Sequence, residues 1–216
     1  RLSYKNLKEW FIYQVKKAGV DIKLNTPATP DLIKAGKFDT VLVATGSDIV
    51  ASKMKTDGSK VFNILEAYSK KGELGKNVVV VGGGKFGMEV AAGMIRDGHN
   101  VTILTSGKEL VAAEDRGPHN VANQEKVLNN PAYSCVLEAN VKSITGGKVV
   151  YTDSKGSEKS VQADSIVVWS GVKPRMDEAE KFIGSADEVL ILGDCTGSCG
   201  SIQKTIRSAF FVASQV

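Results

Sequence analysis

The chain has 216 residues, 42% of them hydrophobic and 24% charged, with a formal net charge of +4. That composition excludes wholesale disorder, and the absence of an apolar run near 20 residues excludes a transmembrane helix. The lysines and arginines are scattered and aromatics are only 6%, which argues against a nucleic-acid surface.

The first stretch, with Leu7, Trp10, Phe11 and Val15 on one face, predicts a helix closed by Gly19. Val20 to Asn25 alternates apolar and polar residues and predicts a strand. Asp31 to Ala35 predicts one short helical turn. Asp39 to Gly46 is an apolar, β-branched run ending in glycine, the pattern of a strand buried on both faces of a parallel sheet. Residues 47–75 read as a connection between two domains, with a short helix at Ile64 to Tyr68.

The strongest local pattern follows. Asn77 to Val81 predicts a buried strand, Gly82-Gly83-Gly84-Lys85-Phe86-Gly87 a glycine turn, Met88 to Arg96 a helix, and Asn100 to Thr105 a second strand. The whole spans about 29 residues, the length of a βαβ unit with a right-handed crossover. A helix is expected at Asn120 to Leu128. Strands are expected over Tyr133 to Ile144, Lys148 to Thr152, Lys159 to Val168 and Val189 to Asp194. A last helix runs from Ile202, with Ile206, Phe210 and Ala213 in one stripe. Residues 38–46 and 163–171 echo one another, which suggests two related nucleotide-binding units.

A G-x-G-x-x-G run between a strand and a helix is a dinucleotide fingerprint. Gly82 permits the tight turn, Gly84 lets backbone approach a diphosphate, and Gly87 lets the helix pack on the strand. The helix start then attracts the phosphates through its unpaired amides and partial positive charge. A carboxylate at the end of the second strand would select NAD. Here stand Leu104, Thr105 and Ser106, then Gly107 and Lys108, with Glu109 beyond. Ser106 and Lys108 could accept a 2′-phosphate, which favours NADP, and Thr105 is expected among the cofactor contacts.

Ala44-Thr45-Gly46-Ser47, the Gly82 to Gly87 turn with Glu89, Gly171-Val172-Lys173-Pro174 and Gly193-Asp194 occur in that order. On these motifs the chain resembles the two-dinucleotide-binding flavoproteins, the pyridine nucleotide-disulfide oxidoreductase superfamily. It is most similar to the C-terminal region of flavoenzymes such as 2,4-dienoyl-CoA reductase, 2-enoate reductase and trimethylamine dehydrogenase. The resemblance implies an α/β fold: a Rossmann-like three-layer NAD(P)-binding domain over 70–183, and a partial, discontinuous FAD-binding domain over 1–69 and 184–216. It implies an oxidoreductase passing hydride from NAD(P)H to FAD and on to an acceptor. The alternative is a structural module that holds an adenine nucleotide without redox chemistry.

The resemblance also implies residue roles. Ala44, Thr45, Gly46, Gly193 and Asp194 would line FAD, while Gly82, Gly84, Lys85, Phe86, Gly87, Glu89 and Gly171 would line NAD(P). No catalytic side chain and no metal ligand set is expected, since the cofactors carry the chemistry. The FAD glycine fingerprint is absent and the chain does not open with Met, so it reads as a piece of a longer cytoplasmic flavoprotein. The expected partners are the missing N-terminal flavin region and, through exposed apolar surface, a second copy of the fragment. Little turnover is expected of it alone. Cys195 and Cys199 lack further ligands and read as core or loop thiols. His99 and His119 read as surface residues. Trp10 and Trp169 read as core, with Trp169, beside Gly171, also placed where it could touch a nucleotide.

Overall fold

The computed structural model describes residues 2–111, 125, 127–197 and 202–216. His119 and Cys199 lie outside the described residues, as does most of the helix read at 120–128. The chain divides into two compact units, one of residues 1–45 with 176–216 and one of residues 46–175.

The second unit is built on five parallel strands. They are β4 (Val61–Asn63), β5 (Asn77–Val81), β6 (Asn100–Leu104), β7 (Tyr133–Val136) and β11 (Ser165–Val168), in the order β4-β11-β5-β6-β7. Three more strands, β8 (Asn140–Thr145), β9 (Lys148–Thr152) and β10 (Glu158–Gln162), form an antiparallel meander, with β3 (Lys55–Thr56) parallel to β8. Thus the run read as one strand from Tyr133 to Ile144 is two strands in two sheets. The helix α4 (Gly84–Arg96) connects β5 to β6. It begins at Gly84, four residues before the position read from the sequence.

The alternation of strand side chains assigns the layers. Val78 and Val80 of β5 pack with Met88, Val90, Ala91 and Met94 of α4. Val79 and Val81 face the other way, against Ile144, Val149 and Tyr151 of the meander. Both faces of β5 are therefore covered, which explains its uninterrupted valine run. Among the described residues the unit has three layers, with helices on one face and the meander on the other.

Residues 47–75 are more regular than their sequence suggests. They hold β2 (Ser47–Ile49), β3, β4 and α3 (Ile64–Ser69). A capping box starts α3: Asn63 Oδ1 accepts from the Glu66 amide, and a Glu66 carboxylate oxygen accepts from the Asn63 amide. β2 pairs antiparallel with β12 (Val172–Pro174).

Asp57 ties β3 to the β8–β9 turn. Its carboxylate accepts from the Thr145 hydroxyl at 3.1 Å, the Gly146 amide at 2.5 Å and the Ser59 hydroxyl at 2.6 Å. The Ser59 hydroxyl first, then the Gly146 amide, hold this carboxyl well below the usual carboxylate range.

In the first unit α1 (Leu2–Lys17) ends as expected at Gly19, which adopts φ +72°. The Gly19 amide donates to the Lys16 carbonyl and the Val20 amide to the Val15 carbonyl, a Schellman closure. α2 (Pro30–Gly36) follows, capped by Thr29. β1 (Thr40–Val43) pairs parallel with β13 (Glu188–Ile191) as a two-stranded sheet. A small core gathers Val43, Ala179, Phe182 and Cys195.

Several sequence expectations fail here. Val20 to Asn25 is not a strand, because no strand among the described residues pairs with it, and an extended run without a partner leaves its amides to water. Only Val43 of β1 is buried, and Leu42 is exposed, so β1 is not covered on both faces. Trp10 is 52% exposed rather than core, and Phe210 of the helix Ile202–Ala213 is 77% exposed. His99 is half-buried, with its Nδ1 bonded to the Gly75 carbonyl at 2.8 Å, and is not a plain surface residue.

Two measurements check this architecture. Ile103, in the centre of β6, is fully buried; Ile103→Ala is expected to lower unfolding stability by about 2–5 kcal/mol in a denaturant titration. Because the folded-state pKa of Asp57 is depressed, its contribution is present above the unfolded carboxyl pKa of about 3.9 and fades as pH falls below it. The unfolding midpoint of Asp57→Asn should therefore lie below that of the native chain at pH 7, and the gap should begin to narrow as pH falls through about 3.9, closing only below the depressed folded value.

Candidate nucleotide-binding site

The carboxyl ends of β5, β6 and β11 lie at one edge of the parallel sheet. Each ends in a segment that the sequence marked. β5 runs into the glycine turn, β6 into Thr105, Ser106, Gly107 and Lys108, and β11 into Trp169, Ser170 and Gly171. In open α/β sheets this edge is where ligands bind, at the point where the strand order reverses. The connection from β5 goes to β6 on one side, while β11 lies on the other.

Each glycine of the turn meets a different requirement. A Cβ on Gly87 would lie 2.3 Å from the Gly82 carbonyl oxygen, so only glycine lets α4 start this close to the strand end. Gly82, at φ +109°, faces the Trp169 carbonyl at 2.8 Å from the same kind of ideal Cβ. Gly83 is crowded by the Thr105 side chain at 2.5 Å. Gly84 differs from all three. At φ +73° its Cβ direction is open, with nothing within 4 Å.

The Gly84 amide is already engaged. It donates to the Leu110 carbonyl at 2.7 Å. Gly84 thus supplies space rather than a donor. The N-cap residue Gly83 has no side chain with which to cap the first turn. Helix geometry leaves the Lys85 and Phe86 amides of the first turn without an intrahelical acceptor, at the positive end of the helix. This arrangement fits an anion such as a diphosphate.

The ribose end is organised by Thr105, which is buried and accepts from the Gly107 amide at 3.3 Å. Thr105 thereby shapes the loop, and its hydroxyl lies beside Gly83 of the glycine turn. Ser106, Lys108 and Glu109 are all exposed. Glu89 sits exposed one turn into α4, and the Tyr68 hydroxyl donates to its backbone carbonyl at 3.5 Å. Gly171 has φ +87° and its carbonyl accepts from the Val50 amide.

The flavin-directed residues divide between units. Ala44 and Thr45 follow β1 and Gly193 and Asp194 follow β13, so the parallel pairing in the first unit brings both segments to one edge. The Leu192 amide donates to the Val43 carbonyl there. Gly193, at φ +77°, donates its amide to the Ser208 hydroxyl, and Asp194 accepts from the Thr205 hydroxyl at 3.1 Å. Gly46 is grouped with the second unit. Buried Cys195 directs its thiol to the Leu192 carbonyl. No group of three or more His, Cys, Asp or Glu suited to a metal occurs among the described residues, and no helix among them is long and apolar enough to cross a membrane.

Sequence reasoning left out Gly83 and Leu110. Gly83 stands between the fingerprint glycines, and its role as an N-cap without a side chain was readable from the sequence. Leu110 carried no signal, because its contribution is a backbone carbonyl from a distant loop.

The chain is 27% identical over 214 residues to cinnamate reductase of Clostridium sporogenes, covering 97% of this chain and 31% of that protein. It is 26% identical to NADH oxidase of Thermoanaerobacter brockii, covering 97% of this chain and 33% of that protein. A solved 2-naphthoyl-CoA reductase in complex with 2-naphthoyl-CoA superposes with a TM-score of 0.84 at 25% identity, over 96% of this chain and 31% of that one. The chain therefore spans about a third of the length of these relatives. Residues 15–188 match the pyridine nucleotide-disulphide oxidoreductase family, and the chain belongs to it.

Proposed function

We propose that this chain is the nucleotide-binding region of a larger NAD(P)H-dependent flavin oxidoreductase of the enoate-reductase kind. The observation that carries the reading is the start of α4, where Gly84 leaves open space and Gly83 leaves the first turn uncapped. Similarity to cinnamate reductase, NADH oxidase and 2-naphthoyl-CoA reductase supports the redox class.

In this reading the Lys85 and Phe86 amides hold the diphosphate of NAD(P)H, and Gly82 and Gly87 set the turn that aims them. Ser106 and Lys108 meet the adenosine ribose and favour a 2′-phosphate, so NADPH is preferred. Glu89 and Gly171 complete this nucleotide site. Ala44, Thr45, Gly46, Gly193 and Asp194 are assigned to FAD, with Asp194 oriented by Thr205. When bound, the nicotinamide supplies a hydride and the flavin accepts it. The rest of the longer polypeptide would cover the exposed apolar side chains of the first unit, Phe11, Val20, Leu24 and Phe210 among them.

Thermal unfolding of the chain tests this. A ligand at 100 times its dissociation constant stabilises by about 2.7 kcal/mol. NADH or NADPH should raise the midpoint more than ADP at equal concentration. Equal shifts with ADP would favour a structural adenine-nucleotide module instead.

The two neighbouring glycines separate binding from folding. Gly84→Ala is expected to abolish nucleotide-induced stabilisation while costing the unliganded chain only about 1–2 kcal/mol, the penalty of its left-handed backbone. Gly87→Ala should lower unfolding stability more, because its methyl meets backbone. Unchanged nucleotide affinity in Gly84→Ala would reject the diphosphate cradle. Lys108→Glu should move the NADPH to NADH affinity ratio about tenfold toward NADH in a calorimetric titration.

A further inference from the structure

The glycine turn lies between two different strand ends. Ser106 and Lys108 follow β6 on one side, and Trp169 follows β11 on the other. A dinucleotide whose diphosphate sits at the start of α4 extends one nucleoside to each side of β5. With the adenosine half on the β6 side, the β11 side receives the second nucleoside.

Trp169 is tied to the turn by its backbone and by its ring. Its amide donates to the Val81 carbonyl at 2.9 Å. Its carbonyl and Cβ lie over Gly82, at 2.8 and 3.1 Å from where a Cβ would stand, so the glycine is what admits it. Its indole packs on the Phe86 ring with centroids 4.7 Å apart and planes inclined by 35°. Phe86 belongs to the first turn of α4, the turn whose amides face the diphosphate. Both rings border the α4-side core yet stay half-buried. A tryptophan serving the core alone has no need of the ligand edge, whereas an indole held there offers a flat apolar surface to a heteroaromatic ring.

We infer that Trp169, braced by Phe86, positions the nicotinamide half of the dinucleotide and so distinguishes a dinucleotide from its adenine portion alone. The inference rests on the dinucleotide reading above and adds a contact which that reading lacks. The role is one of positioning and specificity.

The test uses the 216-residue chain with Trp10→Phe, which leaves Trp169 as its one tryptophan. NADH, NADPH and ADP-ribose are titrated, with indole emission and calorimetry as readouts. A reduced nicotinamide absorbs where indole emits, so NADH and NADPH should quench Trp169 strongly and ADP-ribose little. Trp169→Leu should weaken the reduced dinucleotides about tenfold relative to ADP-ribose, and Trp169→Tyr should restore most of that difference. A purely structural tryptophan would change all three affinities together. Equal loss for all three ligands, or no loss for any, overturns the inference. Should Trp169→Leu fail to fold, Trp169→Tyr against Phe86→Leu is compared in the same way, and an unchanged dinucleotide to ADP-ribose ratio in both overturns it. If the native chain binds neither ADP-ribose nor NADH, the dinucleotide reading itself fails, an outcome distinct from binding that ignores Trp169.

Discussion

The candidate site depends on the close approach between the Gly82 carbonyl and Gly87. Any side chain at Gly87 would strike backbone, not a flexible group that could turn aside. Because α4 can begin directly against the end of β5, its first amides emerge at the edge where β6 and β11 also end. A helix starting one residue farther off would point those amides elsewhere, and its dipole would act over a longer distance. The valine core beneath β5 and the methionines and alanines of α4 hold that approach in place.

The three-layer arrangement gives this edge its asymmetry. Helices cover one face of the parallel sheet and the meander covers the other, so β5 is buried from both directions and cannot shift. Asp57, in the segment before β4, pins the meander turn through two donors, the Thr145 hydroxyl and the Gly146 amide. One side of the glycine turn then meets Thr105, whose hydroxyl accepts from the Gly107 amide of its own loop. The other meets Trp169, whose ring packs on the first turn of α4. A ligand crossing the turn meets a polar, lysine-bearing loop on one hand and an aromatic surface on the other.

The first unit has a different economy. Two parallel strands and a small core around Phe182 and Cys195 support it, while large apolar side chains remain in water. Such exposure is a recognised mark of an interaction surface. The relatives are about three times longer than this chain.

From the sequence alone, local patterns of high redundancy were legible. The valine run of β5, the glycine spacing and the helix and strand that follow each point to the same βαβ unit, so periodicity, turn chemistry and length agree. The Gly19 closure of α1 was readable for the same reason, since only a left-handed residue satisfies those carbonyls. What only the tertiary structure decided were features that depend on a distant partner. Among the described residues, Val20 to Asn25 has the alternation of a strand but finds no paired strand, and Trp10 has the helical spacing of a core residue but stays exposed. The sequence marked Gly84 as a phosphate glycine, yet Leu110 takes its amide, a fact held by a carbonyl that every residue carries. Local spacing is written in side-chain identity, whereas pairing, cover and backbone occupancy arise between segments far apart, and no residue's identity encodes them by itself.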